Sequence, residues 1–142
     1  MLFASILSIS LVALSTFAHY EVLQVCSAIL PRLSFIARRA KVLVAMGCAM
    51  GSHTLHIVMF ALAYYLLQDE AGLGSLHGVF QNAFAGFLYF STETYTSLGL
   101  GDVYPMGDIR MVAGIEALTG LLMISWTASF TFLEMSRYWR DR

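Results

Sequence analysis

Thr96-Ser97-Leu98-Gly99-Leu100-Gly101-Asp102 is the stretch on which the fold of this 142-residue chain turns. It follows an apolar run, residues 79–92, of 14 residues. As a helix that run rises about 21 Å, too little to cross a hydrocarbon core of roughly 30 Å. The glycines that follow make a continuing helix unfavourable. A half-length helix running into irregular backbone is tolerated at membrane depth only where protein buries it or a water-filled path borders it. The reading is therefore a re-entrant loop. Around it stand three longer apolar stretches, residues 1–30, 42–68 and 109–138, each able to span a bilayer.

Composition points the same way. Hydrophobic residues make up 58 % of the chain and charged residues 12 %, against about a quarter charged in ordinary globular domains. A soluble chain of this size would leave too much apolar surface in water. The net charge of −1 gives no pull toward nucleic acid. Cys26 and Cys48 both lie in apolar sequence and read as buried thiols, not as a disulfide framework or a zinc motif. No Lys or Arg precedes Arg32 and Ser15-Thr16-Phe17-Ala18 is a poor cleavage site, so residues 1–30 are expected to be an additional transmembrane helix, not a signal peptide.

Seven of the eight basic residues fall in two places: Arg32, Arg38, Arg39 and Lys41 in the loop 31–41, and Arg137, Arg140 and Arg142 at the end. Acidic Asp69, Glu70, Glu93, Asp102 and Asp108 lie between the second and last long stretches. The positive-inside rule puts the basic loop and the C-terminus in the cytoplasm, with the N-terminus outside and the re-entrant loop entered from outside. The expected fold is all-α: three transmembrane helices plus a short re-entrant helix.

Glycines at alternate positions take positive φ without steric cost. Alternating them with L-residues aims successive carbonyl oxygens to one side, and a ring of such strands replaces a cation's hydration shell. The preceding helix would also turn its partially negative C-terminal end toward the cation. G-x-G alone is weak evidence. Between a half-length apolar helix and a full-length one it is strong.

Tyr89-Phe90-Ser91-Thr92-Glu93-Thr94-Tyr95-Thr96-Ser97-Leu98-Gly99-Leu100-Gly101-Asp102-Val103-Tyr104-Pro105 resembles the pore helix and selectivity filter of potassium channels, whose pattern is T-T-V-G-Y-G-D, often followed by Tyr-Pro. Thr96, Ser97, Leu98, Gly99, Gly101 and Asp102 match identically or conservatively. The resemblance covers about residues 42–138, and the chain is similar to small bacterial channel-like proteins with one extra N-terminal helix. It implies an outer helix 42–68, a pore helix 79–95, a filter 96–102 and an inner helix 109–138. It further implies a homotetramer in a bacterial inner (plasma) membrane, with lipids and potassium ions as its other partners. Ions would sit on the backbone carbonyls of Ser97, Leu98, Gly99 and Leu100 and on the Ser97 hydroxyl, with no organic cofactor and no structural metal. Tyr89 and Phe90 would brace the filter from outside. Glu93 would lie behind it, paired with Asp102, and Gly120 would fall close to the hinge glycine of the inner helix. Leu100 stands where the family has tyrosine, so the hydroxyl that bonds outward to the pore helix is missing. The expectation is a passive channel that prefers potassium less stringently than usual. The alternatives are a non-conducting or regulatory channel-like subunit and, further off, a membrane metalloenzyme built on histidine.

Other polar residues carry two readings each. Glu93 and Asp102 either share a proton behind the filter or bond separately to a loop and backbone amides. A charged Glu116 at membrane depth costs a few kcal/mol unless partnered. It is either a charge facing the vestibule or, as favoured here, a hydrogen bond to a neighbouring helix with His53 or His56 as partner. His53 and His56, at i and i+3, share a helical face. They lack a further metal ligand in local sequence, so a hydrogen bond between helices is favoured over a zinc site. His19 shares that ambiguity. Gly120 is either a flex point or a place of close helix packing. Residues 72–78 read as the outer loop feeding the pore helix.

Overall fold

The computed structural model describes residues 2–69, 73–79 and 83–139. Glu70 and Gly72 of the outer loop, the side chain of Asp69, and Arg140 and Arg142 lie outside the described residues.

The first long apolar stretch forms α1 (Leu2–Ile29), the second α2 (Lys41–Asp69) and the last α4 (Ile109–Trp139). At 28, 29 and 31 residues they run about 42–47 Å. All three are apolar enough to cross a membrane. Along α1 the buried positions are Ala4, Ser8, Leu11, Ser15, His19, Leu23 and Cys26, one residue per turn on a single face. Mostly small or polar side chains on that face let helices approach closely where no water drives them together. Leu2, Phe3, Ile6, Ile9, Leu14 and Phe17 point the other way and are exposed, as a lipid-facing surface requires.

Between α2 and α4 lies α3 (Phe84–Tyr95), 12 residues long and about 18 Å. It begins later than the apolar run 79–92 suggested. Val79 instead donates its N–H to the Asp102 carbonyl at 2.8 Å, at the end of a small ribbon. That ribbon is the one β pairing among the described residues. β1 (Gly74–Gly78) pairs antiparallel with β2 (Val103–Gly107), Gly74 opposite Gly107 and Gly78 opposite Val103. It draws the chain before α3 and the chain after residue 102 together, so that the re-entrant unit is closed at its neck. Gln68 Oε1 accepts the Leu76 N–H at 2.7 Å and ties the ribbon to the end of α2.

The core beside α3 contains Phe60, Tyr64, Phe87, Phe90, Ile109 and Val112. Phe90 therefore does not brace the glycine segment from outside. It packs edge-on against Tyr64, centroids 5.1 Å apart, and is 3 % exposed; the face of α3 that meets α2 and α4 is the one that carries it. At the opposite end of the bundle two short turns, Leu30–Arg32 and Arg38–Ala40, join α1 to α2. There Arg38 donates to the Arg137 carbonyl at 3.3 Å and Lys41 to the Pro31 carbonyl at 3.3 Å. Lys41 and Arg137 both lie on the Tyr138 ring, at 5.5 and 5.6 Å. The loop 31–41 and the end of α4 thus form one basic end, away from the ribbon.

Gly120 sits inside an unbroken α4. Its bare Cα meets the Tyr95 main chain, where a Cβ would be driven into the Tyr95 carbonyl. Close packing, not a bend, is what the glycine provides in this conformation.

Candidate functional site: the glycine segment and its supports

The chain leaves α3 at Thr96, whose hydroxyl turns back to the Thr92 carbonyl at 2.8 Å. From there φ alternates in sign. It is positive at Ser97 (57°), Gly99 (54°) and Gly101 (79°), while Leu98 and Leu100 keep the ordinary negative values. For the glycines this is free of steric cost. For Ser97 it costs about 1–2 kcal/mol, offset by the bonds on either side.

The Ser97 N–H itself donates to the Thr94 carbonyl at 3.0 Å, and the bonds beyond it run toward one residue. Leu98 donates its N–H to the Glu93 carbonyl at 2.9 Å and Gly99 donates to the same oxygen at 3.4 Å. Leu100 donates to Glu93 Oε2 at 3.2 Å. Glu93 thus gathers the amide face of the segment onto the end of α3. Among the described residues no donor reaches the carbonyls of residues 97–101. Residues 96–102 are exposed throughout, including Leu98 at 64 % and Leu100 at 61 %. The segment offers a row of carbonyl oxygens, unpaired among the described residues and flanked by apolar side chains that none of those residues covers.

Glu93 and Asp102 do not share a hydrogen bond among the described residues. Asp102 Oδ2 accepts from the Tyr89 hydroxyl at 2.9 Å and Oδ1 from its neighbour Val103 N–H at 3.0 Å. Burial raises the Glu93 carboxyl above the usual range and the nearby Asp102 charge adds to it, while the Leu100 N–H pulls it down. The bond to Asp102 raises the Tyr89 phenol. Tyr89 therefore supports the outer end of the segment through Asp102.

Two further sets of polar side chains lie deeper. Glu116 is fully buried and accepts from the Tyr64 hydroxyl and from Ser91 Oγ, the latter at 2.5 Å. Ser91 Oγ is also 2.8 Å from the Ile57 carbonyl. The partners are thus not His53 or His56, and the reason is depth. α2 and α4 run antiparallel, so a residue two turns into α4 meets the last turns of α2, where Tyr64 lies, and not its middle.

His53 and His56 meet Tyr95, the last residue of α3. Their Nδ1 atoms lie 2.8 and 3.0 Å from its hydroxyl, and His53 Nε2 is 2.9 Å from Thr127 Oγ1. His19 joins them from α1, with Nδ1 2.9 Å from Ser52 Oγ and Nε2 3.2 Å from Thr127 Oγ1. The i, i+3 spacing marks only the α2 pair. The arrival of His19, Tyr95 and Thr127 depends on how four helices stack, which local periodicity does not contain.

A family model described as "Ion channel" matches residues 52–136, more than half of the chain. The match takes in most of α2, α3, the glycine segment and nearly all of α4, and leaves α1 outside. No curated protein and no solved structure matches the chain.

Proposed function

The chain belongs to the ion channel family, and on that premise we propose that four copies assemble into a passive potassium-preferring cation channel whose filter is residues 96–102. A family of transporters, not of enzymes, is the setting. The observation that carries the proposal is the alternation of φ along residues 97–101 together with the anchoring of the Leu98, Gly99 and Leu100 N–H groups on Glu93. Backbone of that kind presents its carbonyls in one direction, at fixed spacing, without a partner among the described residues. Carbonyl oxygens suit a cation that has shed water. One chain supplies one side of such a cage, so several must meet around an axis. Leu98 and Leu100, exposed in the single chain, then gain cover from neighbouring copies. Asp102, held by Tyr89, places a carboxylate at the outer mouth, where it raises local cation concentration.

The topology follows from the two ends of the bundle. The basic end carries Arg32, Arg38, Arg39, Lys41 and Arg137 and faces the cytoplasm, and the ribbon faces outside. A bacterial inner membrane is the proposed location. Leu100 leaves the segment without a side-chain hydroxyl at that position, so its stiffness rests on Glu93 and Asp102. Preference for potassium over sodium should be real but incomplete.

The test is a reversal potential in proteoliposomes under opposed potassium and sodium gradients. The expected value lies between the two cation potentials and nearer that of potassium, and Gly99→Ala removes the current. A potential that follows chloride, or a wild-type protein that carries no current, ends the reading.

A further inference from the structure

His19, His53 and His56 come from two helices and meet in the interior. His19 and His56 are fully buried. Their ring centroids are 5.3 Å (19–53), 5.4 Å (19–56) and 6.2 Å (53–56) apart. One ring nitrogen from each lies within 4.8 Å of the others. A zinc ion with Zn–N bonds of about 2.0–2.1 Å holds tetrahedral nitrogens about 3.4 Å apart. The widest pair is therefore at most about 1.4 Å beyond that spacing.

What surrounds the rings suits such a site. Ser52, Thr127 and Tyr95 present hydroxyls, each able to donate or accept. A metal-bound imidazole must pass its remaining N–H to an outer partner, and these hydroxyls stand where that partner is needed. The Tyr95 oxygen, within 3.0 Å of the Nδ1 atoms of both α2 histidines, is placed to hold both rings through Nδ1 while Nε2 faces the ion. His56 supplies the sharpest sign. Its Nε2 is buried and makes no well-formed hydrogen bond, the Ser15 backbone being at most a weak partner of that ring. An unmade hydrogen bond at a buried nitrogen costs about 1–3 kcal/mol, and a metal ligand is one use that removes the cost. Three imidazoles favour zinc, copper or nickel over magnesium or calcium, which take oxygen ligands.

We propose that His19, His53 and His56 bind a divalent transition metal of the zinc type, and that the ion ties α1 to the channel module at Tyr95. The third ligand comes from the one long helix that lies outside the family match at residues 52–136. On this proposal α1 completes a metal site one residue away from the start of the glycine segment. The metal site does not depend on what the glycine segment conducts.

The experiment uses full-length protein in detergent, stripped with chelator and loaded with zinc alone or cobalt(II) alone. Elemental analysis after dialysis should find about one zinc per chain. His19→Gln and His56→Gln should each weaken binding by about tenfold or more, while His77→Gln, an exposed histidine on the ribbon, leaves it unchanged. In the wild-type protein, where folding is not in question, cobalt should show the intense visible bands of a four-coordinate nitrogen site. Zinc that is not retained, zinc that survives His19→Gln, or cobalt that stays in its weak six-coordinate spectrum overturns the proposal and leaves a hydrogen-bonded histidine cluster only.

Discussion

Two glutamates support the re-entrant unit, and they act in opposite ways. Glu116, on α4, bonds only side chains, Tyr64 from α2 and Ser91 from α3, and so fastens the short helix to its scaffold. Glu93, on α3 itself, uses its main chain and its carboxylate to hold amides of the exposed segment. The first carboxylate is fully buried and satisfied by neighbours that are themselves fixed. The second holds backbone that has no other support on that side. A half-length helix can stand at membrane depth only if its sides are bonded and its end is occupied. Each glutamate meets one of those two conditions: removing the first should loosen the fold, and disturbing the second should spare the fold and change conduction.

The largest effect is expected at the segment. Alanine at Gly99, where φ is 54°, costs about 1–2 kcal/mol. Repeated over the four copies proposed above, about 4 kcal/mol or more corresponds to roughly a thousandfold loss of the conducting geometry. Potassium flux should vanish while thermal unfolding in detergent barely moves, and equal loss of both would mean that segment and scaffold are one unit. Next come changes to the scaffold. Gly120→Ala pushes a methyl group into the Tyr95 carbonyl, and overpacking of this kind costs about 1–3 kcal/mol. A variant that melts like the wild type would show that α3 and α4 are not in close contact. Glu116→Ala strands the Tyr64 hydroxyl and should cost about 2 kcal/mol, with Tyr64→Phe in the same background adding little, as a double-mutant cycle in the melting curves would show.

The smallest effect is electrostatic. Burial first, and the Asp102 charge second, hold the Glu93 carboxyl above its ordinary value. The proton-bound form is thus favoured by the fold. Its contribution is complete below the ordinary glutamate value and is lost as pH rises through the raised one. Melting temperature should therefore drift down as pH rises above the ordinary glutamate range, more in the wild type than in Glu93→Gln. Identical drifts would mean that Glu93 titrates like a surface carboxylate.

Much of this was legible from spacing. Three apolar stretches of spanning length, a fourth too short, and glycines at 99 and 101 lead to three long helices, a short one and a strand of alternating handedness. What sequence hid was set by contacts distant along the chain. Tyr64 and Ser91 as partners of Glu116 depend on helix depth. Phe90 turned inward because α3 has a buried face that its apolar composition does not single out. The pairing of residues 74–78 with 103–107 joins segments separated by the whole re-entrant unit, and each alone reads as a glycine-containing loop. Positive φ at Ser97 is forced by its place between the end of α3 and the Glu93 bonds, not by its own preference. His19 found its partners only once α1 lay against α2.

The most direct measurement is imaging of the purified particle in lipid at a resolution that shows main-chain carbonyls. The expected image has four copies around one axis, residues 97–101 innermost, and ion density between successive rings of their oxygens. Single or paired chains, with that strand turned to solvent away from any axis, would contradict it.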